Sequence, residues 1–347
     1  REASVVRQLP EAVRPDAARV VEGNTAFACD LYQRLRGGPG NLFLSPFSIS
    51  TALAMTYGGA RGITESEMAA VLHFPLGKER LHPVFHELLK SVDAGVASSG
   101  YRLDVANRLW GQSGRGFLPA YLELTRNQYE AELETVDFAG QAEASRARIN
   151  RWVEEKTRQE IKGLLPPGSL DISTVLLLTS AVYFRGKWQA RFDAGQTRPG
   201  AFHVTPTQSV TVPMMRQAAE VAVGYAAGAR VLELPYAGRD LSMIILLPVR
   251  YDGLVALEDS LSLGSLALWR SVLRPGKVDV VLPRFTVTSV FSLGRTLQGM
   301  GMATAFTPAA DFSGMNGTGQ LAITDALHKA LLSVNEEGTE AAAATAV

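Results

Sequence analysis

The chain has 347 residues, 46% of them apolar, enough for a substantial core in one large or two ordinary domains. Its 34 basic and 34 acidic residues cancel, and the pI is near 7.2, so nothing in the charge balance marks a nucleic-acid or anionic-membrane partner. The single cysteine, Cys29, excludes an intrachain disulfide framework and a cysteine metal site. It sits in an apolar helical pattern and reads as a buried structural thiol.

Residues 1–15 carry Pro10, Pro15 and several charges and read as an irregular lead-in. A helix is expected from Ala17 to Leu35, stopped by Gly37-Gly-Pro-Gly40. In Asn41-Leu-Phe-Leu-Ser45-Pro46-Phe-Ser48-Ile, a short strand meets a helix whose first turn holds proline and whose cap is Ser45. Thr64-Glu-Ser-Glu67 has the spacing of a capping box for a helix to Leu72. Tyr101 to Trp110 alternates as a strand, Pro119 to Tyr129 is helical, and Ala142 to Ile161 predicts a long amphipathic helix carrying Trp152. Thr174 to Phe184 is nearly all apolar, as a central strand covered on both faces would be.

Between residues 199 and 250 the pattern gives strands at Gly200–Val204, Val210–Met215, Val221–Tyr225, Ala229–Pro235 and Leu241–Leu247. A short helix at Leu266–Leu273 follows, then strands at Val278–Leu282 and Arg284–Ser289, a helix over Val290–Met300, and a last strand at Leu331–Val334. Helices dominate the first half and strands the second, without a regular repeat. The fold class is α+β, read as a single domain over residues 1–347.

Enzyme chemistry finds no foothold. His82 and His86 lack the HExxH glutamate, no phosphate loop or Gly-x-Ser-x-Gly elbow occurs, and Asp325 with His328 has no serine tied to it by sequence. The chain is read as no enzyme, with no cofactor and no metal. No apolar run is long enough to span a bilayer. The chain starts at Arg1 rather than Met, so residues are expected to have been removed ahead of it. The one sequon, Asn316-Gly-Thr318, is the sequence's only pointer to an extracellular location.

The last stretch, Asn335 to Val347, leaves three readings open. Thr339 and the run Ala341 to Ala344 favour a helix. The segment also suits a mobile tail, or a strand small enough to slide between two others. Read by twos, Thr339, Ala341, Ala343 and Thr345 share one face, and the charge of Glu340 lies on the other.

Glu336-Glu337-Gly338-Thr339-Glu340-Ala341-Ala342-Ala343-Ala344-Thr345 resembles the reactive-loop hinge of the inhibitory serpins. The likeness covers nearly the whole chain: Asn41 to Ile49, Leu178-Thr-Ser-Ala-Val-Tyr-Phe-Arg-Gly-Lys-Trp188, Glu233-Leu-Pro-Tyr236, Leu241 to Pro248, Pro283-Arg-Phe285, Asp311-Phe-Ser-Gly-Met315 and His328-Lys-Ala330 stand in that family's order. The resemblance implies a fold of three β-sheets, A, B and C, with a surrounding helical layer. It implies suicide inhibition of serine or cysteine endopeptidases: the target protease forms a covalent acyl complex and is trapped as the loop inserts into sheet A. A non-inhibitory serpin acting as carrier or chaperone is the alternative, disfavoured by a hinge free of bulky residues and proline.

By the same resemblance Ser45, Ser48, Ser180 and His328 form the polar cluster under the centre of sheet A, where the strands part. Ser180 stands where many serpins have asparagine. Trp188 matches the tryptophan where insertion begins. The scissile bond falls beyond Val347, as do the C-terminal strands of sheet B. The expected molecule is a monomer cleaved in its loop, accompanied by a separate C-terminal fragment, with Thr339 to Val347 already a central strand of sheet A. Only Lys78, Arg80 and Lys90 lie in the stretch where polyanion-binding serpins are basic, so no heparin activation is expected.

Overall fold

The computed structural model describes residues 4–99 and 101–339, the side chains of 4, 5 and 94–99 excepted. The chain opens with α1 (Ser4–Gln8), α2 (Arg14–Leu35), α3 (Pro46–Gly59), α4 (Gly62–Val71) and α5 (Lys78–Ser99). Next come β1 (Arg102–Gln112), α6 (Pro119–Tyr129), β2 (Glu134–Val136), α7 (Phe138–Lys156) and β3 (Leu176–Lys187). The strand-rich part is β4 (Arg198–Thr205), β5 (Gln208–Ala226), β6 (Ala229–Pro235), β7 (Ser242–Pro248), α8 (Leu254–Asp259), α9 (Leu263–Ser271), β8 (Arg274–Pro283) and β9 (Phe285–Ser292). The described chain closes with α10 (Gly294–Met300), α11 (Ser313–Asn316), β10 (Ile323–Val334) and β11 (Gly338–Thr339). The α+β class holds.

Two compact units interleave along this order. The first is Arg1–Asp93, Asp104–Tyr183 and Thr288–Leu331; the second is Ala94–Leu103, Phe184–Val287 and Leu332–Val347. In the first unit, α3 is buried from Ser48 to Gly59 on every side, the condition of a helix apolar all round. Ile49, Leu53 and Met55 pack there with Phe27, Leu31, Phe85, Phe312 and Leu176. A second cluster joins Phe138 and Ile149 of α7 to Trp110 and Leu177 of the sheet. In the second unit Trp188, Met215, Leu234, Tyr236, Val280 and Val334 form one core, and Trp269 closes another over Ala229 and Val231.

A six-stranded sheet has the order β2-β1-β3-β11-β10-β9, with β3 also paired to β10 directly. β3 is buried from Leu176 to Tyr183, as its unbroken apolar run required. The other sheet runs β4-β5-β6-β7, with β8 on β5.

Several elements depart from the sequence expectation. The capping box at Thr64 does not form: α4 starts at Gly62 with Arg61 as cap. Thr64 Oγ1 instead accepts from Asp311 N (2.9 Å), and the Glu67 carboxylate accepts from the Thr304 amide and hydroxyl, each at 2.8 Å. Tertiary partners have taken both side chains from the local motif. The helix expected from Val290 begins only at Gly294, because β9 continues to Ser292. Asp325 fixes that change of direction, accepting from Ser292 Oγ (2.6 Å) and Gly294 N (3.2 Å).

Two expected strands, 210–215 and 221–225, are one strand, β5. Its polar middle, Arg216 to Glu220, pairs with Val281 to Lys277 of β8. The last apolar strand is far longer than four residues, since the polar Asp325, His328 and Lys329 inside it have partners of their own. The long helix is displaced as well: α7 starts at Phe138, capped by Asp137 on Gly140 N, and is kinked at Gln141. The lead-in is partly helical, as α1. Cys29 is buried, and burial pushes its thiol pKa up.

The chain after α7 is held by Asn150, whose amide donates to Leu165 O (2.9 Å) and whose carbonyl accepts from Leu165 N (2.8 Å). Asn150→Ala leaves the buried Leu165 amide unpaired and should cost about 1–3 kcal/mol. A urea midpoint unchanged from the parent would refute that role.

Candidate functional site

The centre of the six-stranded sheet is a seam between β3 and β10. The two strands run parallel and pair from Ile323 against Leu176 to Leu331 against Tyr183. Ser180 and His328 are register partners on that seam. Their side chains meet at 3.0 Å, Oγ to Nδ1. The Ser180 hydroxyl also meets Ser48 Oγ at 2.9 Å, and Ser48 Oγ donates to Asn107 Oδ1 at 2.8 Å. Asn107 Nδ2 returns a bond to Ser48 O (3.0 Å). At the other end the Ser45 amide donates to His328 Nε2 (3.1 Å), and Ser45 Oγ caps α3 on Ser48 N (3.4 Å).

One donor fixes the direction of the whole chain. A backbone N–H can only donate, so His328 Nε2 must accept and the proton of a neutral ring sits on Nδ1. Nδ1–H then donates to Ser180, Ser180 to Ser48, and Ser48 to Asn107. The neutral form is the one burial selects: His328 is fully buried, and desolvation pulls its pKa down to about 4 against a smaller opposing effect from Ser180. Phe291 stacks on the ring at 6.3 Å.

All four residues expected in this cluster are therefore together. The amide that Ser180 lacks is supplied by Asn107 of β1, which the sequence reading missed. A lone asparagine in an alternating strand pattern was its only signal.

The hinge begins in the second unit. Gly338 and Thr339 form β11, antiparallel to β3 at Lys187 and Gly186 and to β10 at Val334. The turn before it is closed by Asn335, which bonds Gly338 O through its amide (2.8 Å) and accepts from Glu337 N (2.9 Å) and Gly338 N (3.1 Å) through its side chain. A Cβ on Gly338 would lie 1.9 Å from Gly186 O, so only glycine permits this approach.

Trp188 is where insertion was expected to begin, and it holds the turn: its indole donates to Asn335 O (3.0 Å) and its amide to Glu337 O (2.9 Å). Glu336 is nearly buried; its carboxylate accepts from Thr197 Oγ1 (2.6 Å) and lies 3.6 Å from Arg284, while Arg191 stands 3.8 Å from Glu337. Thr339 is fully buried, its hydroxyl 2.6 Å from Tyr236 Oη. Tyr236, Asn335 and Arg284 lie in stretches the sequence reading names, but neither they nor Thr197 were given a role at this site.

The expected inserted strand, Thr339 to Val347, lies outside the described residues except for Thr339; Glu340, Ala341, Ala342, Ala343, Ala344 and Thr345 are thus not placed. Alongside the described seam, β3 and β10 are joined to one another. Among the described residues no group of three metal-ligating side chains occurs, and no helix is long and apolar enough to cross a membrane.

Acid should loosen the folded state. The folded pKa of His328 is depressed to about 4, below its ordinary value of 6.5, and that of His82, buried against Tyr129, is likewise about 4. Between those values the unfolded chain takes up protons that the folded chain refuses. Stability is then full above pH 6.5 and falls as pH drops toward 4. His328→Gln should shrink the loss in urea midpoint between pH 7 and pH 4.5; an equal loss in parent and variant would refute the assignment.

The sequence matches the family described as Serpin (serine protease inhibitor) over residues 22–347. It is 43% identical over 335 residues to a leukocyte elastase inhibitor of Bos taurus, covering 93% of this chain and 87% of the relative. It is 40% identical to Serpin B3 of Homo sapiens over 344 residues, 94% and 88% of the two chains. Among solved structures it resembles ovalbumin from emu, Dromaius novaehollandiae (TM-score 0.87, 31% identity, 94% and 92% covered). It also resembles human thyroxine-binding globulin (TM-score 0.85, 30% identity, 94% and 88% covered). The chain belongs to the serpin family.

Proposed function

We propose that this serpin is a suicide-substrate inhibitor of serine endopeptidases. The observation that carries the reading is the placement of β11. It enters as a third strand flanked by β3 and β10, antiparallel to both, while further along the same two strands are bonded directly to each other. Inserting the rest of the hinge between them exchanges one parallel ladder for two antiparallel ones, which are slightly better per residue. A dozen residues gain about 10 kcal/mol of net hydrogen bonding and cost about as much in ordering, so burial of small apolar side chains decides the sign. Ala341 and Ala343, on the face of Thr339 in a continuing strand, have the volume for that. The relatives named as elastase inhibitors support the same reading.

In the proposed sequence the protease attacks a bond beyond Val347 and becomes acylated on its own nucleophile. The Ser180–His328 link parts, the hinge zips in from Thr339, and the tether moves tens of ångströms at roughly 3.3 Å per residue. The serpin catalyses nothing. The scaffold is proposed as one domain and a monomer.

Two sheet edges in the second unit support a further partner. β7 and β8 each lack a second neighbour among the described residues and expose Leu247 (56%) and Val281 (48%). Open edges of that kind pair readily, and we assign them to a C-terminal segment of the same protein, separate when the loop has been cut. The extracellular expectation loses its support: Asn316 is buried, and its Oδ1 accepts from Thr318 N (3.1 Å) and Gly319 N (3.2 Å), so the sequon asparagine serves a turn.

Mixing the full-length protein with trypsin-, chymotrypsin-, elastase- and subtilisin-like enzymes tests the reading. At least one should give a complex that survives boiling in detergent, and Thr339→Arg or Ala343→Glu should convert that reaction to plain cleavage. Cleavage without a complex by every enzyme would leave the carrier reading instead.

A further inference from the structure

Tyr236 lies on the turn after β6 and belongs to no part of the hinge. Its ring is clamped on two sides: Trp188 stacks on it at 4.8 Å and 11°, and Phe184 meets it edge-on at 5.1 Å. A backbone bridge between Trp188 and Tyr236 fixes the pair. The ring therefore has no freedom to choose where its hydroxyl points. That hydroxyl is met by Thr339 Oγ1 at 2.6 Å, in a place where Thr339 has no exposure at all. Burial pushes the phenol pKa up to about 12, so the group stays a neutral O–H. Two buried hydroxyls facing each other form a seat that accepts a hydroxyl and rejects an apolar or charged side chain, either of which leaves Tyr236 unpaired.

We propose that Tyr236 is the positioning residue that sets the phase of the inserting strand. The proposal rests on the inhibitory reading above. A strand alternates its faces, so the residue that occupies the seat decides which face every later residue takes. With Thr339 seated and Gly338 opposite Lys187, a continuing strand puts Ala341, Ala343 and Thr345 on the face of Thr339. A slip of one residue would present Glu340 to the seat and bury a carboxylate. The Gly338 contact alone does not forbid the slip of a strand that has not yet formed; a side-chain receptor at its first position does. Because the seat is filled while Ser180 and His328 are still paired across the seam, the phase is chosen before the seam opens.

The test compares Tyr236→Phe, Thr339→Val, the double variant and Thr339→Ser in the full-length protein. Two quantities are read: inhibitor molecules consumed per protease trapped, and amide hydrogen exchange of residues 335–339 in the unreacted protein. Losing one buried hydroxyl pair should raise both by about three- to ten-fold in Tyr236→Phe and in Thr339→Val. The double variant should be no worse than either single one, and Thr339→Ser, which keeps the hydroxyl, should stay near the parent. Additive effects, or Thr339→Ser behaving as Thr339→Val, would overturn the proposal, since both point to packing rather than a hydroxyl seat. Faster exchange with an unchanged stoichiometry would overturn it too. If the parent traps no protease, the inhibitory reading fails on its own, and a hydroxyl-dependent exchange pattern still separates seat from packing.

Discussion

The hydrogen bond between Ser180 and His328 spans a seam that the proposed function has to open. The two residues stand opposite each other on parallel strands, and each is tied back into the structure: Ser180 through Ser48 to Asn107, His328 to the amide of Ser45. Each hydroxyl in this chain accepts one bond and donates the next, and the neutral imidazole, accepting at Nε2 and donating at Nδ1, is what lets the directions agree. Such a network makes the closed sheet specific rather than merely stable. It also makes opening cooperative, since no single link can be broken without orphaning its neighbours.

The hinge complements that lock. Trp188, Glu336 and Asn335 hold the turn, Gly338 allows the backbone of β11 to approach Gly186, and Thr339 fills the place beside Tyr236. Gly338 and Thr339 thereby stand as a strand between β3 and β10. The alanines that follow in the sequence are poor anchors and poor obstacles, which suits residues that must pass between strands. Their high helix propensity says little about the state they take on insertion, where packing and ladder bonds decide.

Much of this was legible in the residues. Ser45 before Pro46 announced a capped helix, and the cap is there. The nearly apolar run from Thr174 to Phe184 announced a central strand buried on both faces, and β3 is buried from Leu176 to Tyr183. Thr64-Glu-Ser-Glu67 misled because a capping box is a local motif, and Asp311 and Thr304, more than 200 residues away, outbid it for the same side chains. β10 looked short because its polar residues break the apolar pattern; each turns out to be answered, Asp325 by Ser292, His328 by Ser180, Lys329 by the carbonyl of Lys162. The roles of Asn107 and of Tyr236, the latter visible only as the end of Glu233-Leu-Pro-Tyr236, were illegible for a related reason. Their roles exist only through partners 59 and 103 residues distant, which no local spacing in the sequence points to.

The central claim is that the closed sheet is not the most stable arrangement of this chain and its hinge. It is tested most directly by the thermal unfolding midpoint of the protein before and after a single cut in the proposed reactive loop. In the proposed mechanism the cut frees the hinge to enter the seam, which predicts a midpoint far above that of the uncut protein. A midpoint that stays the same or falls would contradict it, because a freed hinge that gains nothing by entering could not drag a tethered protease with it.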